Sequence, residues 1–131
     1  MERRAINPWS WQDQFGFSQA IEVANHSRTL FCAGQTAVDE NGAPMHAGDM
    51  GAQLGQAMEN LRAVLEQAGF TLGDVVRLNV HTTDVDRTLE SYGEVVSRLS
   101  AAGCQPAMML LGVSRLAFPE LLVEIEATAV A

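Results

Sequence analysis

The chain contains no lysine; its eight basic residues are all arginine, against sixteen aspartates and glutamates. That absence excludes Schiff-base chemistry on a lysine, the lysine anchor of pyridoxal phosphate enzymes and the lysine of a Walker-type phosphate loop. Cysteine is scarce. Cys32 and Cys104 stand far apart and outside any CxxC or zinc spacing, which argues against a disulfide framework and fits two packed thiols in a reducing compartment. His26, His46 and His81 share no ligand spacing, so no metal site is expected, and the missing nucleotide and dinucleotide signatures leave no cofactor to expect. GxSxG and HExxH are also absent. No apolar run approaches the roughly 18 to 20 residues that span a bilayer. The stretch Met1 to Pro8 ends before any apolar signal region, so a cytoplasmic protein without membrane attachment is expected. A net charge of −8 without any basic cluster repels phosphate backbones, so nucleic acid is not an expected partner.

What remains is an ordinary globular composition, 47% hydrophobic over 131 residues. That length makes one domain, residues 1–131, able to bury roughly two-thirds of its extended-chain surface. The first 18 or so residues read as a loop-like segment whose Trp9, Trp11, Phe15 and Phe17 pack. Strands are predicted over Ala20–Val23 and Thr29–Thr36, and Asn41-Gly42 marks a hairpin turn. That turn accounts for Asp39-Glu40-Asn41-Gly42 better than calcium does, since the other EF-hand ligands are missing. From Gly48 to Ala68, Leu54, Met58, Leu61 and Leu65 recur at helical spacing, with Asp49 at the start and Gly69 at the end. Asn60, beside this apolar face, is expected to bond to backbone. Val75–Thr83 alternates as a strand, with Val76, Leu78, Val80 and Thr82 on its buried face. Asp84 and Asp86, loop carboxylates at a strand end, suit a helix N-terminus better than a site role, and a second helix over Arg87–Ala101 is predicted to bury Leu89, Tyr92, Val96 and Leu99. Met108–Val113 and Leu122–Val130 complete an α+β chain.

Two helices cover only one face of such a sheet. The run Ala107-Met108-Met109-Leu110-Leu111 is too continuous for a strand wet on one side, which predicts an oligomer. Val123-Glu124-Ile125-Glu126-Ala127-Thr128-Ala129 alternates strictly, placing Glu124 and Glu126 on one face of the last strand. The only arginine after Arg98 is Arg115, so the surrounding sequence supplies almost no countercharge. The pair is either a solvated face or a site carboxylate beside a structural one. Gly34, after an apolar strand, either permits close backbone approach or reflects strand geometry alone.

These segments together resemble the RidA family, also called YjgF or endoribonuclease L-PSP. The residues that carry the resemblance are Phe31-Cys32-Ala33-Gly34-Gln35, Gln56-Ala57-Met58-Glu59-Asn60-Leu61, Asp74-Val75-Val76, Asp84, Pro106-Ala107, Arg115-Leu116 and Glu124-Ile125-Glu126-Ala127. The resemblance implies a chorismate-mutase-like α+β fold, with a mixed sheet, two helices on one face, and a barrel-forming homotrimer holding small-molecule clefts between subunits. It implies hydrolysis of reactive enamines and imines, with Glu124 as the glutamate that handles water and backbone of the Leu110 region facing the imine. Around them it places Phe17, Ala33, Gly34, Tyr92 and Met108 in the substrate cleft.

Several of these positions depart from the family pattern. Met108 stands where the family has a carboxylate-clamping arginine, Phe17 where it has tyrosine, Ala33 where it has serine, and Tyr92 where asparagine is common. One residue is inserted between Arg115 and Glu124. Losing a guanidinium clamp removes roughly 1.5 to 3 kcal/mol of charge-assisted hydrogen bonding. Two expectations follow: a divergent hydrolase of an imine or enamine that needs no carboxylate anchor, with Arg115 as a substitute cation, or a non-catalytic homotrimer that binds a metabolite or protein. Ribonuclease activity is a weaker third reading, opposed by the acidic charge.

Overall fold

A computed structural model describes all 131 residues. Strand β1 (Glu2–Ile6) pairs antiparallel with β2 (Ala20–Ala24) as a two-stranded ribbon. β1 lies inside the segment read as a loop. Its five residues are all exposed, so no buried face imprints a period of two on them. The ribbon meets the main sheet through a parallel bridge between Ser18 and Ala107. Between its strands, Trp11–Phe15 forms a short 3-10 helix that ends at Gly16 in the left-handed region.

The main sheet consists of β3 (Thr29–Phe31), β4 (Val75–Thr82), β5 (Ala107–Gly112) and β6 (Val123–Val130), in the order β3-β6-β4-β5. β4 and β5 run parallel, and the other pairs are antiparallel. β3 is shorter than the predicted Thr29–Thr36. After Phe31 the chain keeps contact with β6 through Cys32 N–H to Ala127 O (2.9 Å) and the reciprocal Gln35–Ile125 bonds, while Ala33 and Gly34 leave the ladder. In β4 a bulge between Val75 and Arg77 moves burial from Val76 to Val75.

Helix α1 (Met50–Gln67) is capped by Asp49, whose carboxylate accepts from Ala52 N–H at 3.0 Å, and the chain leaves it at Gly69 with φ 79°. It buries Leu54, Met58, Leu61 and Leu65 against β6 and its neighbours. The predicted second helix is two: α2 (Val85–Glu90) and α3 (Gly93–Ala101). Ser91 leaves helical geometry, and Tyr92 and Glu94 bond three residues back, to Leu89 and Ser91. The break turns Leu89 outward to 50% exposure, and Val95 joins Leu99 in the core. Asp84 caps α2, accepting from Arg87 N–H at 3.1 Å.

Asn60 bonds to backbone as expected, donating to the carbonyls of Thr36 (2.9 Å) and Val38 (3.0 Å). The chain after Gly34-Gln35 is thereby tied to α1. Gln53 is a second, unforeseen tie. It is fully buried, donates to the carbonyls of His46 (3.2 Å) and Glu120 (2.8 Å), and accepts from Leu122 N–H at 2.8 Å. That fixes the segment entering β6. Gln53→Leu removes three hydrogen bonds to backbone, each worth about 0.5 to 1.5 kcal/mol. A thermal melt should show it as a midpoint lowered by roughly 5 °C or more.

Candidate active site

Pairing across β6, β4 and β5 assigns every strand residue to a face. Ile125, Val80 and Leu110 lie abreast on the helix-covered side, as do Ala127, Leu78 and Met108. Glu124, His81 and Leu111 lie abreast on the other side, with Glu126, Asn79 and Met109 in the next row. The alternation read at β6 is thus observed: Val123, Ile125, Ala127 and Ala129 are buried. On the open side Phe31 is 79% exposed, with Met109 and Leu111 near 40%. On that uncovered face, apolar side chains of the two edge strands flank the polar residues of β6 and β4.

Glu124 and Glu126 differ in surroundings. The more exposed Glu126 accepts from Asn79 Nδ2 at 3.1 Å and shares a depression with Phe31, Arg77 and Thr128. Arg77, on β4, is the cation lining that depression, without an ion pair to either glutamate. Glu124 is half-buried and has no hydrogen-bond or ion-pair partner within the chain. Its side chain lies over Gly34: a Cβ there would sit 2.6 Å from Glu124 Cδ and 2.8 Å from Cγ. Close approach, rather than strand geometry alone, is what this glycine permits. Ala33 accepts at its carbonyl from Gln35 Nε2 at 3.2 Å, closing the turn that presents Gly34.

The other candidates gather elsewhere. The Tyr92 hydroxyl lies 3.9 Å from Met108 Sδ, and burial pushes its pKa up to about 12, so it stays a neutral donor. Met108 and Leu110 pack against the core. Phe17 lies next to Gly16, which abuts Val96 of α3, and next to Ser18, which is bridged to β5. Arg115 is exposed in the loop before β6, its Nε donating to Leu116 O at 3.2 Å, and forms no ion pair in the chain. The chain therefore holds two groups on opposite faces of one sheet, Glu124 with Gly34 and Ala33, and Met108 with Tyr92 and Leu110, while Phe17 lies on the segment bridged to Ala107. No side-chain movement within one copy unites them.

Both cysteines are buried and free. Cys104 donates from Sγ to Val75 O at 3.2 Å, and burial, the largest influence, raises its pKa to about 11. No group of three or more His, Cys, Asp or Glu is placed to hold a metal ion, and no helix is long and apolar enough to cross a membrane.

The family model described as Endoribonuclease L-PSP matches residues 12–131. A RutC family protein of Pyrococcus horikoshii is 36% identical over 116 residues, 86% of this chain and 85% of that protein. The crystal structure of YyfB, a conserved Rid-family protein from Yersinia pestis, superposes with a TM-score of 0.88 at 40% identity over the whole of both chains. A more distant relative, named 2-iminobutanoate/2-iminopropanoate deaminase, of Dermatophagoides farinae, is 33% identical over 64 residues, 49% of this chain and 48% of that one. The Gly34-Gln35 turn, the capped helix and the Glu124–Ala127 strand thus belong to one known architecture, and the chain is a member of the endoribonuclease L-PSP family, the RidA or YjgF proteins.

Proposed function

We propose that the protein hydrolyses a small imine or enamine bearing no essential carboxylate, in a cleft between copies of a homotrimer, with Glu124 placing and activating the water. The observation that carries this reading is the Glu124 carboxylate, seated on Gly34 at an uncovered sheet face and free of any partner within the chain. Water placed there adds its oxygen to the C=N carbon, with a proton moving to nitrogen. The carbinolamine then loses ammonia and leaves a carbonyl product. The group around Met108 comes from the neighbouring copy, because one copy keeps it on the far side of the sheet. The mite relative's named deaminase activity supports the reaction class. Two buried free thiols support a cytoplasmic setting.

Imines generated in place by an amino-acid or amine oxidase, in competition with semicarbazide trapping, test the proposal. Wild type should accelerate decay of an uncharged imine and act weakly on 2-iminopropanoate. Met108→Arg should raise activity on 2-iminopropanoate by about tenfold or more, the scale of a charged hydrogen bond. If wild type accelerates decay of no imine, the hydrolase reading fails.

A second reading, a non-catalytic binding module, is favoured by the contact of the Tyr92 hydroxyl with a thioether instead of a cation. Light scattering at micromolar concentration should give three times the chain mass of 14.1 kDa. A monomer mass would sink both readings.

A further inference from the structure

The N-terminal segment carries both tryptophans of the chain, and one of them stands beside a residue of the proposed cleft. Trp11 meets Phe17 edge to face, with ring centroids 5.8 Å apart and planes at 75°. It meets Phe15 in the same manner at 6.4 Å. Trp11 nevertheless keeps 53% of its surface open. Held on one side by two rings, it presents the remainder of a large aromatic surface to solvent.

The residues on either side of Phe17 are anchored near the Met108 group. A Cβ on Gly16 would lie 3.0 Å from a Val96 methyl, and Ser18 donates from Oγ to Gln105 O at 2.6 Å while bridging Ala107, the residue before Met108. Val96 lies one helical turn beyond Tyr92, whose hydroxyl rests on Met108. The Trp11–Phe17 pair and the Tyr92–Met108 pair are thus joined through the neighbours Gly16–Val96 and Ser18–Ala107, and none of the four residues is cationic. The arginine of α3, Arg98, is committed to Glu59 and Glu94. A carboxylate brought onto these two pairs would lose water without gaining a countercharge. An aryl group would gain buried area and edge-to-face contacts.

We infer that these two pairs form one aromatic band that selects an uncharged imine with an aryl side chain, Trp11 being a specificity-determining residue. The inference rests on the hydrolase reading for its reaction, R–CH=NH + H2O → R–CHO + NH3, in which water oxygen ends on carbon and the C–N bond breaks. Its ligand preference is separable from that reaction.

Stable analogues test the preference without turnover. In a Trp9→Phe background Trp11 is the sole tryptophan, so its fluorescence reports binding of 2-phenylacetamide, acetamide and phenylacetate. Phenylacetamide should bind at least tenfold more tightly than either of the others. By calorimetry, Trp11→Ala should weaken phenylacetamide binding about tenfold and acetamide binding less than twofold, and Trp11→Phe should restore most of the loss. Absence of saturable phenylacetamide binding, equal affinity for acetamide or phenylacetate, or a uniform loss in Trp11→Ala would overturn the inference. Aryl preference without accelerated hydrolysis of phenylacetaldehyde imine leaves this inference standing and removes the hydrolase reading. Hydrolysis without aryl preference does the reverse.

Discussion

Glu124→Gln is expected to lower imine hydrolysis by about 100-fold or more, the low end of what a positioned proton-transfer group contributes. Glutamine keeps the length and planar end of the side chain and still fits over Gly34, but at neutral pH it cannot take a proton from water. Since Glu124 has no in-chain partner to lose, the thermal midpoint should stay within a few degrees of wild type. Glu126→Gln is the matched control. It sits two residues on along the same face and bonds to Asn79, and it should retain most of the activity. Oxidase-coupled rates for the two variants measure the difference. Equal activity in Glu124→Gln and wild type would remove Glu124 from the chemistry.

Gly34→Ala should reproduce much of that loss without touching the carboxylate itself. The added methyl would fall 2.6 Å from Glu124 Cδ and 2.8 Å from Cγ, well inside van der Waals contact. The obstructing atoms are the outer part of a flexible side chain, so the fold accommodates them by rotating Glu124 aside. The stability cost should therefore stay at or below about 1 to 3 kcal/mol, the usual range for overpacking. Displacing a reacting group by about 1 Å can cost on the order of 100-fold in rate. The expected signature is a near-native melt with kcat reduced by roughly that factor. An unchanged kcat, with Glu124 found in its original position by crystallography, would show that the contact is not used.

Much of this site was readable because β6 is half-buried. Its alternation separates Val123, Ile125 and Ala127 from Glu124 and Glu126, and burial enforces that register. α1 was equally legible, since a long apolar stripe lies between Asp49 and Gly69, which have physical reasons to stand at helix ends. The break at Ser91 was hidden by Leu89, Tyr92, Val96 and Leu99, whose spacing reads straight through it. β1 left no signal because backbone pairing to β2, and not burial, holds it in place. Gln53 is the complementary case: a polar residue inside a helical stripe gives no hint that two of its three partners, at Glu120 and Leu122, lie 67 and 69 residues away. The opposition of Glu124 and Met108 across the sheet depends on a parallel β4–β5 register and an antiparallel β4–β6 register, neither of which is written in any single segment.

The bond pattern that makes β1 hard to read also sets the order in which the molecule loosens. Its ribbon reaches the body mainly through the Ser18–Ala107 bridge and the Arg3 guanidinium on Gly73 O, whereas the β6 amides lie between two strands. Amide exchange should therefore begin in Glu2–Ala24 while protection around Ile125 persists. A fluctuation of that kind carries the indole of Trp11 with it and leaves the Glu124 carboxylate where it was. With the roles proposed for Trp11 and Glu124, ligand tolerance and proton transfer would rest on parts of the chain expected to open at different rates, so that the first could be retuned without disturbing the second.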